Sequence, residues 1–278
     1  MTRPEARADT STDDIDDVVA LVDLGGDRFT GPNLQPTARV FSGQLVAQSV
    51  VAAARTGDGK RVQSVHLVFG RSGDMERSVV IEVARDTDGR TFATRTVRAR
   101  QGDAILASGV VMLREPAEPD GFDHQETRAP DAGTPSDATP VVINLVPGEI
   151  RSVGGVDLAA RTSGPATHRW WFRMPVRRRD GAHVQAVVAH ATCRTLIGTA
   201  LRAVDGVSER DARDSLQTAV TTHSVWFHDD CDVSDWLLVD QIAPVLRGGR
   251  AFGRGDVFTA SDSVVASFSQ ESLVRRRA

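Results

Sequence analysis

Residues 221–228 read TTHSVWFH, and this run carries hydroxyl and imidazole groups that could do chemistry. Its β-branched and aromatic residues predict a strand rather than a loop. A plain buried strand would not need two threonines and two histidines. Thr222 could hydrogen bond a water or a substrate, although threonine is more often present in strands for its β-propensity. Alternation puts His223 and His228 on opposite faces, and we expect both to be structural.

A second group of candidates lies on a predicted helix. His190 and Arg194 are four residues apart and therefore share a helix face. A histidine can act as a base near neutral pH. A buried guanidinium needs an anionic partner, such as a substrate carboxylate or phosphate, because an unpaired buried charge is costly. The alternatives are a packed position for His190 and a solvent-facing position for Arg194.

The cysteine pattern indicates neither a disulfide nor a metal. Cys193 and Cys231 are the two cysteines among 278 residues. Neither belongs to a CxxC motif or lies near a histidine pair that would complete a zinc site. We therefore expect no metal and no cofactor.

The composition of the chain gives no indication of a nucleic-acid or membrane partner. A hydrophobic content of 40% is enough for a buried core, and a net charge of −4 gives no general attraction for nucleic acid or an anionic membrane. No uncharged stretch approaches the roughly 20 residues that span a bilayer, and the charged N-terminus has no apolar signal region. These features predict a cytoplasmic protein without nucleic-acid or membrane partners.

A stretch rich in Pro, Asp, Gly and Thr divides the chain near its middle, as is typical of a linker. We predict four parts: a disordered leader over 1–14, an N-terminal half over 15–116, the linker over 117–142, and a C-terminal half over 143–278.

Each half is predicted to contain one long helix followed by four strands. Helix formers without proline predict helices over 42–56 and 183–204. Runs bounded by turn residues predict strands over 62–69, 78–85, 91–100, 104–115, 216–228, 235–245, 250–260 and 263–275.

The two halves are related by a nearly constant shift in sequence. Shifts of 158, 160 and 159 residues relate Phe69 to Phe227, residues 88–90 to 248–250, and residues 105–108 to 264–267. A constant shift predicts an internal duplication. Each copy would bury one sheet face against its helix, which is an α+β arrangement. The same shift relates His66 to Ser224.

Four motifs resemble the signatures of type II acyl-CoA thioesterases, a family of double hotdog proteins. The resemblance covers roughly residues 20–275, and the motifs are FSGQLVAQ (41–48), VQSVHLVFGRSGD (62–74), HSVWFH followed by DWLL (223–228 and 235–238) and VVASFSQESLVR (264–275). The first and third motifs occur in order and are together specific. The resemblance implies a double hotdog fold, with two copies of a long helix wrapped by an antiparallel sheet.

The resemblance also implies hydrolysis of an acyl thioester, on CoA or on a carrier, by an activated water without a covalent intermediate. In that family an aspartate on the second-half helix, a threonine or serine before HSxWFH and a glutamine on the last strand hold the water. The glutamine is present as Gln270. The aspartate falls on Arg194 and the threonine on Val220, so that two of three catalytic positions are substituted.

These substitutions bear on the chemistry. A guanidinium, with a pKa above about 12, cannot accept a proton from water. A shift of one helical turn would bring His190 toward the position of Arg194. Strand alternation places Thr222 on the same face as Val220, so its hydroxyl could supply what the valine lacks. We therefore predict Gln270, Arg194, Thr222 and His190 as catalytic candidates.

Four further residues are predicted to contact the substrate. Gly43 and Gln44 lie at the start of the first helix, where a glycine permits close approach of a ligand to the backbone. His66 lies on the predicted strand 62–69, where the repeat pairs it with Ser224, and Val220 is the position on which the family threonine falls. Basic runs at 173–179 and 274–278 could meet CoA phosphates or could be solvated surface.

Three functions remain open from the sequence. The first is an acyl-CoA thioesterase. The second is a diverged member that binds an acyl thioester and catalyses dehydration, isomerisation or cyclisation in lipid, polyketide or other specialised metabolism. The third is a non-enzymatic scaffold without a pocket. Because hotdog sheets readily associate, we expect a homo-oligomer in each case.

Overall fold

The computed structural model describes residues 11–12, 14–35, 38–116, 122–212 and 214–277. Its α-helices are α1 Ile15–Val19, α2 Ser42–Ala54, α3 Gly181–Thr192 and α4 Leu196–Leu201. Its strands are β1 Ser11–Thr12, β2 Val22–Asp23, β3 Arg28–Gly31, β4 Asn33–Leu34, β5 Arg61–Phe69, β6 Val79–Asp88, β7 Phe92–Gln101, β8 Ala104–Arg114, β9 Thr139–Val141, β10 Glu149–Ser152, β11 Thr167–Arg173, β12 Leu216–Phe227, β13 Leu237–Arg247, β14 Arg250–Thr259 and β15 Val264–Arg276. Within these ranges no helix combines the length and the apolar character needed to cross a bilayer.

One antiparallel sheet runs through both halves of the chain. Its order is β2-β3-β6-β7-β8-β5-β12-β15-β14-β13-β11-β10-β9. The five strands β3-β6-β7-β8-β5 therefore correspond to β11-β13-β14-β15-β12, and the two copies join where β5 pairs with β12. This arrangement confirms the predicted duplication and the α+β double hotdog fold. Residues 222–226 of the TTHSVWFH run form the part of β12 that pairs with β5 and joins the halves.

Helices α2 and α3 lie side by side against one face of the sheet and run in opposite directions. Ser42, at the start of α2, contacts Cys193, which follows the end of α3, with 3.2 Å between Oγ and Sγ. Nearly every residue of both helices is buried, as expected of helices that are apolar on all sides. Helix α3 begins at the N-cap Asp180, whose carboxylate accepts a hydrogen bond from the His183 backbone N–H.

The predicted strands are confirmed, with ends that differ by at most three residues. The first predicted helix is confirmed as α2, but the second is not continuous as predicted. It breaks at residues 193–195, between α3 and α4. The Thr192 hydroxyl donates to the Ala189 carbonyl and the Thr195 hydroxyl donates to Gln241, so side-chain hydrogen bonds compete with the helix here.

Strands β3 and β11, which precede the long helix in each half, were not predicted. Strand β11 reads THRWWFR, and its Trp170 and Phe172 side chains are fully buried. The predicted linker is also partly structured, because residues 139–141 form β9 against β10. Most of the predicted leader, residues 1–10 and 13, lies outside the described residues, as do residues 117–121 of the linker. Ser11 and Thr12 pair with β4.

Candidate active site

A cleft of about 510 Å³ opens where the start of α2 meets the end of α3. We call it the main cleft. Its lining combines the ends of both helices with the first part of β12 and a short 3₁₀ turn over Glu209–Ala212. The polar and charged residues of this lining include Ser42, Cys193, Arg194, Glu209 and Thr221, and the apolar residues include Leu45, Phe69, Ile197 and Val220. The antiparallel helix pair places these groups together.

Arg194 lies in the main cleft and has an anionic partner within its own chain. Its two terminal nitrogens donate to the Glu209 carboxylate oxygens at 3.0 and 3.1 Å, and its Nε donates to the Asn144 carbonyl at 3.0 Å. The Arg194 and Glu209 side chains are 21% and 17% exposed. The anionic partner expected for Arg194 is thus a side chain rather than a substrate group. The geometry is the two-pronged one that guanidinium and carboxylate favour.

A β-bulge separates Val220 from Thr222. Val220 pairs with Ser272 and Thr222 pairs with Glu271, so Thr221 is the extra residue. The prediction that Val220 and Thr222 share a face is therefore wrong. Val220 lines the main cleft, whereas Thr222 lies on the opposite face of the sheet and accepts a hydrogen bond from the Glu271 N–H at 3.3 Å.

Thr221 is a site residue that sequence reasoning missed. It lines the main cleft, and its hydroxyl is buried without a hydrogen-bond partner among the described residues. A buried hydroxyl without a partner is uncommon and is available to a ligand or a water. The adjacent threonines in the sequence were a weak signal for this bulge, because nothing in one strand shows where its pairing shifts.

Gln270 is buried on the face of the sheet that carries the helices. It lies directly across from His223, and its Nε2 donates to the Ser272 hydroxyl at 3.0 Å. His223 Nε2 lies 3.1 Å from the Thr192 hydroxyl, so His223 connects β12 to the end of α3. Gln270 is 1% exposed and is not part of the lining of the main cleft.

Burial lowers the pKa of His223 to about 4, and the nearby Gln270 carboxamide opposes that shift. The carboxamide oxygen of Gln270 nevertheless has no hydrogen-bond partner in the part of the chain that the structure describes. His223 is therefore neutral near pH 7. We interpret the His223–Gln270 pair as a buried polar layer beneath the main cleft.

His190 is fully buried and packs between the helices and the segment that follows the linker. Its Nε2 lies 2.5 Å from the Leu145 carbonyl oxygen, and its ring meets the Phe41 ring edge-on with centroids 5.1 Å apart. Burial lowers the pKa of His190 to about 4. This placement explains His190 as a packed residue that holds Leu145, itself part of the wall of the main cleft.

Gly43 lies at the point where α2 meets α3. A Cβ atom on it would lie 2.8 Å from the His190 carbonyl oxygen and 2.5 Å from the Phe41 ring. The glycine therefore permits close approach of a helix rather than of a ligand. Gln44 is also fully buried, and it accepts from the Leu34 N–H and donates to the Asn33 side chain.

His66 lies on the outer face of the sheet, opposite to the helices. Its ring meets the Trp226 ring edge-on, with centroids 5.1 Å apart, and its Nε2 lies 3.0 Å from the Ser64 hydroxyl. His66 and Thr222 are thus separated from the main cleft by the sheet itself. Of the eight predicted site residues, the structure brings Arg194 and Val220 into the lining of the cleft, with Gln270 and His190 packed close behind.

We expect Gly43→Ala to lower the free energy of unfolding by about 1–3 kcal/mol, because the new methyl group overpacks the helix contact. Urea unfolding followed by circular dichroism measures the change. Gly181→Ala is a matched control at the start of α3, where the nearest atoms belong to the flexible end of Arg61. A Gly43→Ala variant as stable as the parent would contradict this account.

Cys193 lies in the main cleft but is a poor nucleophile. Burial raises the pKa of its thiol to about 12, so the thiol is protonated at neutral pH. Cys193 and Cys231 are both free thiols. Across the described ranges, no group of three histidine, cysteine, aspartate or glutamate residues is arranged to hold a metal ion.

Comparison with known proteins places both halves in one family. Residues 31–114 match the family model for the acyl-CoA thioesterase N-terminal domain, and residues 157–273 match the model for acyl-CoA thioesterase. Acyl-CoA thioesterase 2 from Haemophilus influenzae is 26% identical over 257 residues, which cover 85% of this chain and 88% of that protein. Human acyl-coenzyme A thioesterase 8 is 26% identical over 286 residues, with 93% and 88% covered.

Two solved structures that are similar to this chain belong to proteins of the same kind. The crystal structure of acyl-CoA thioesterase II TesB2 from Mycobacterium marinum is 31% identical, has a TM-score of 0.78, and matches over 95% of this chain and 98% of that one. The tesB protein MAP1729c from Mycobacterium avium subs. paratuberculosis is 29% identical with the same TM-score, and the match covers 93% and 97% of the two chains. The chain therefore belongs to the type II acyl-CoA thioesterase family.

Proposed function

We propose that this protein hydrolyses acyl-CoA thioesters in the main cleft, with the Glu209 carboxylate as the group that accepts a proton from the attacking water. One observation carries the proposal. Although the helix position of the family carboxylate holds Arg194, the fold brings a different carboxylate, Glu209, into the same cleft. A carboxylate within reach of a bound water can act as a general base.

The proposed step balances without a cofactor. Water attacks the thioester carbonyl carbon while Glu209 takes one of its protons. The tetrahedral intermediate then collapses, the carbon–sulfur bond breaks, and the leaving thiolate takes the proton back from Glu209. The products are a carboxylic acid and the free thiol of CoA. Such a step requires a water held about 3 Å from the carbonyl carbon and donors for the developing oxyanion.

The other residues of the main cleft have supporting roles in this proposal. Arg194 positions the Glu209 carboxylate through its two hydrogen bonds. The Thr221 hydroxyl is buried and has no hydrogen-bond partner within the described ranges, so it is suited to hold the water or the oxyanion. Gln270 pairs in register with His223 and lies outside the lining of the cleft, so its role in this proposal is to pack behind the wall.

A second candidate function is a non-hydrolytic step on a bound acyl thioester. The observation in its favour is that Arg194 engages both oxygens of Glu209, which leaves no free carboxylate among the described residues that line the cleft. Arginine beside a carboxylate stabilises its ionised form and weakens it as a base. The scaffold hypothesis predicts a protein without a pocket. It receives no support, because the main cleft is such a pocket.

Release of free thiol from a panel of acyl-CoAs and one acyl carrier protein thioester distinguishes the two. We expect thiol release by the parent, and a reduced rate for Arg194→Asp because the new carboxylate repels Glu209 and no longer positions it. If the parent releases no thiol and Arg194→Asp does release thiol, hydrolysis through Glu209 is contradicted and the second candidate is favoured. Binding of a non-hydrolysable thioether analogue shows that each variant still has a pocket.

We also propose that the protein is a cytoplasmic homo-oligomer. Support for association comes from the outer face of the sheet, where the two halves join. Val68, Val110 and Trp226 are 57%, 45% and 39% exposed there. Neighbouring exposed apolar side chains on one sheet face are typical of an association surface.

A further inference from the structure

A second cleft lies at the other end of the helix pair. Its volume is about 850 Å³, and it opens where the start of α3 meets the end of α2. Because α2 and α3 are antiparallel copies of one element, this second cleft is the pseudo-symmetric counterpart of the main cleft. Its size lies in the range of small-molecule sites, about 300–1,000 Å³. None of its lining residues belongs to the main cleft.

The inner wall of the second cleft is apolar. Both long helices and the two strands beneath them contribute side chains to it, and these are Val51, Ala54, Val184, Val188, Phe227 and Val265. An apolar wall of this kind is suited to an alkyl chain, because burial of an alkyl chain is favourable by about 0.8 kcal/mol for each CH₂ group.

The rim of the second cleft is cationic. Arginine or lysine occurs at five lining positions, against three aspartates. Arg61 and Arg179 form salt bridges with Asp230 and Asp232. Lys60 and Arg178 form no salt bridge within the described ranges, so their charges remain available to an anion from outside the chain.

Two buried polar side chains of α3 also line the second cleft. Gln185 is 7% exposed; its Nε2 donates to the Val62 carbonyl at 2.7 Å, and its Oε1 has no hydrogen-bond partner among the described residues. His183 is 5% exposed; its Nδ1 lies 2.6 Å from Asp180, and its Nε2 has no such partner. Unpartnered polar atoms in the wall of a cleft point to a ligand that completes their hydrogen bonds.

The acidic residues at the rim do not cancel its charge. Asp180 is occupied as the N-cap of α3 and as the partner of His183. Asp230 is paired with Arg61. Asp229 accepts a hydrogen bond from the Asp230 N–H but keeps its negative charge, so the five cations and three aspartates leave an excess of two positive charges in the lining.

Arg55, the fifth cation of the lining, donates to the Leu21 carbonyl and lies over the Phe29 ring. Arg178 lies near enough to Asp180 to help lower the pKa of that carboxyl. Among the described residues, Lys60 and Arg178 are therefore the lining cations whose side chains form neither a salt bridge nor a hydrogen bond.

We propose that the second cleft binds an alkyl chain with an anionic head group, with the chain against the apolar wall and the head at Lys60 and Arg178. The shared chemistry fits a free fatty acid, through its carboxylate, or an acyl-CoA, through its phosphates. This site is separate from the proposed thioesterase site, so its occupancy does not depend on the chemistry of the main cleft.

Isothermal titration of the full chain tests the proposal. The probes are dodecanoate, CoA and a non-hydrolysable dodecyl-CoA thioether, and the main cleft is first filled by Val220→Trp. In this background we expect one molecule of dodecanoate or of the thioether to bind per chain. Tighter binding of dodecanoate would identify a free fatty acid as the ligand, and tighter binding of the thioether would identify an acyl-CoA. If neither dodecanoate nor the thioether shows saturable binding, the proposal is overturned.

Charge reversal at the rim gives the sharper comparison. We expect Lys60→Glu combined with Arg178→Glu to weaken binding about tenfold in this background, because two rim attractions become repulsions. Arg98→Glu is a matched control, since Arg98 is exposed on β7 and lines neither cleft. Ala182→Trp, which fills the second cleft, is expected to abolish binding. Equal affinity in the double charge variant and in Arg98→Glu would overturn the proposal.

Thiol release separates this inference from the proposed function. With an otherwise unchanged main cleft, the Lys60→Glu and Arg178→Glu double variant should keep the parent rate of thiol release. A parent-like rate with weakened dodecanoate binding supports a distinct second site. A rate that falls in parallel with the binding would show that the two clefts form one substrate site and would overturn the proposal.

Discussion

Glu209→Gln is expected to lower the rate of thiol release by about 10²–10⁴-fold, the range that general bases contribute. Glutamine keeps the size of the side chain, which packs against Gly198, and keeps an oxygen that can accept from Arg194. A carboxamide cannot accept a proton from water at neutral pH. The loss should therefore fall on kcat, with little change in KM.

Two controls test whether the loss of rate is specific to the Glu209 carboxylate. Asp205→Asn makes the same chemical change a few residues away, at an exposed position outside both clefts, and should leave the rate unchanged. The affinity of Glu209→Gln for a non-hydrolysable thioether analogue should match that of the parent. A Glu209→Gln variant that retains the parent rate would remove Glu209 from the mechanism.

Glu209→Asp refines the test. Aspartate retains the carboxylate but is shorter by one methylene group, which withdraws it from the water. Partial activity in Glu209→Asp, between the parent and Glu209→Gln, would indicate that the position of a carboxylate limits the rate. If Glu209 only holds Arg194 in place, Glu209→Gln and Glu209→Asp should be equally mild.

The sequence was sufficient for the fold because its signals are local and repeated. Turn residues bound each long strand, and the constant shift between residues 105–108 and 264–267 exposes the duplication. The short strands before the helices gave weaker signals. Strand β3 has four residues, and β11 reads THRWWFR, in which histidine and arginine interrupt the apolar pattern.

The site was less accessible to sequence reasoning because it depends on register and on distant contacts. The alternation rule assigned Thr222 to the face of Val220, and the bulge at Thr221 reverses that assignment. Glu209 lies in a polar 3₁₀ turn, and nothing in its own neighbourhood marks it as the partner of Arg194. At the helix break after α3, the Thr195 hydroxyl makes a tertiary hydrogen bond to Gln241, a partner that is distant in the sequence.

The fold carries a second large expected effect, a loss of stability in mild acid. His168 in β11, His190 in α3 and His223 in β12 are all buried, and burial lowers the pKa of these residues to about 3, about 4 and about 4. In the unfolded chain their pKa values return to the ordinary value near 6.5. Below that pH the unfolded chain binds protons that the folded chain excludes.

The direction follows from proton linkage. The stabilisation due to the neutral histidines is fully present above pH 6.5, and it is lost progressively as the pH falls from 6.5 toward about 4. Each histidine contributes a slope of up to about 1.4 kcal/mol per pH unit, so that the loss by pH 5 is about 2 kcal/mol for each. Aspartates with lowered pKa values, such as Asp27, act below pH 3.8 and do not produce this slope.

Urea unfolding at pH 7.5, 6.5, 5.5 and 5.0 measures this effect. We expect His168→Gln to be less stable than the parent at pH 7.5, because the buried ring contacts Ser152 and Trp170, yet to lose less stability on acidification, since one proton-binding group is gone. His124→Gln, at an exposed position, should keep the parent slope. If stability falls with pH equally steeply in the parent and in His168→Gln, the acid sensitivity arises from groups other than His168. If the stability of the parent is constant from pH 6.5 to 5.0, the three histidines do not exclude protons in the folded chain.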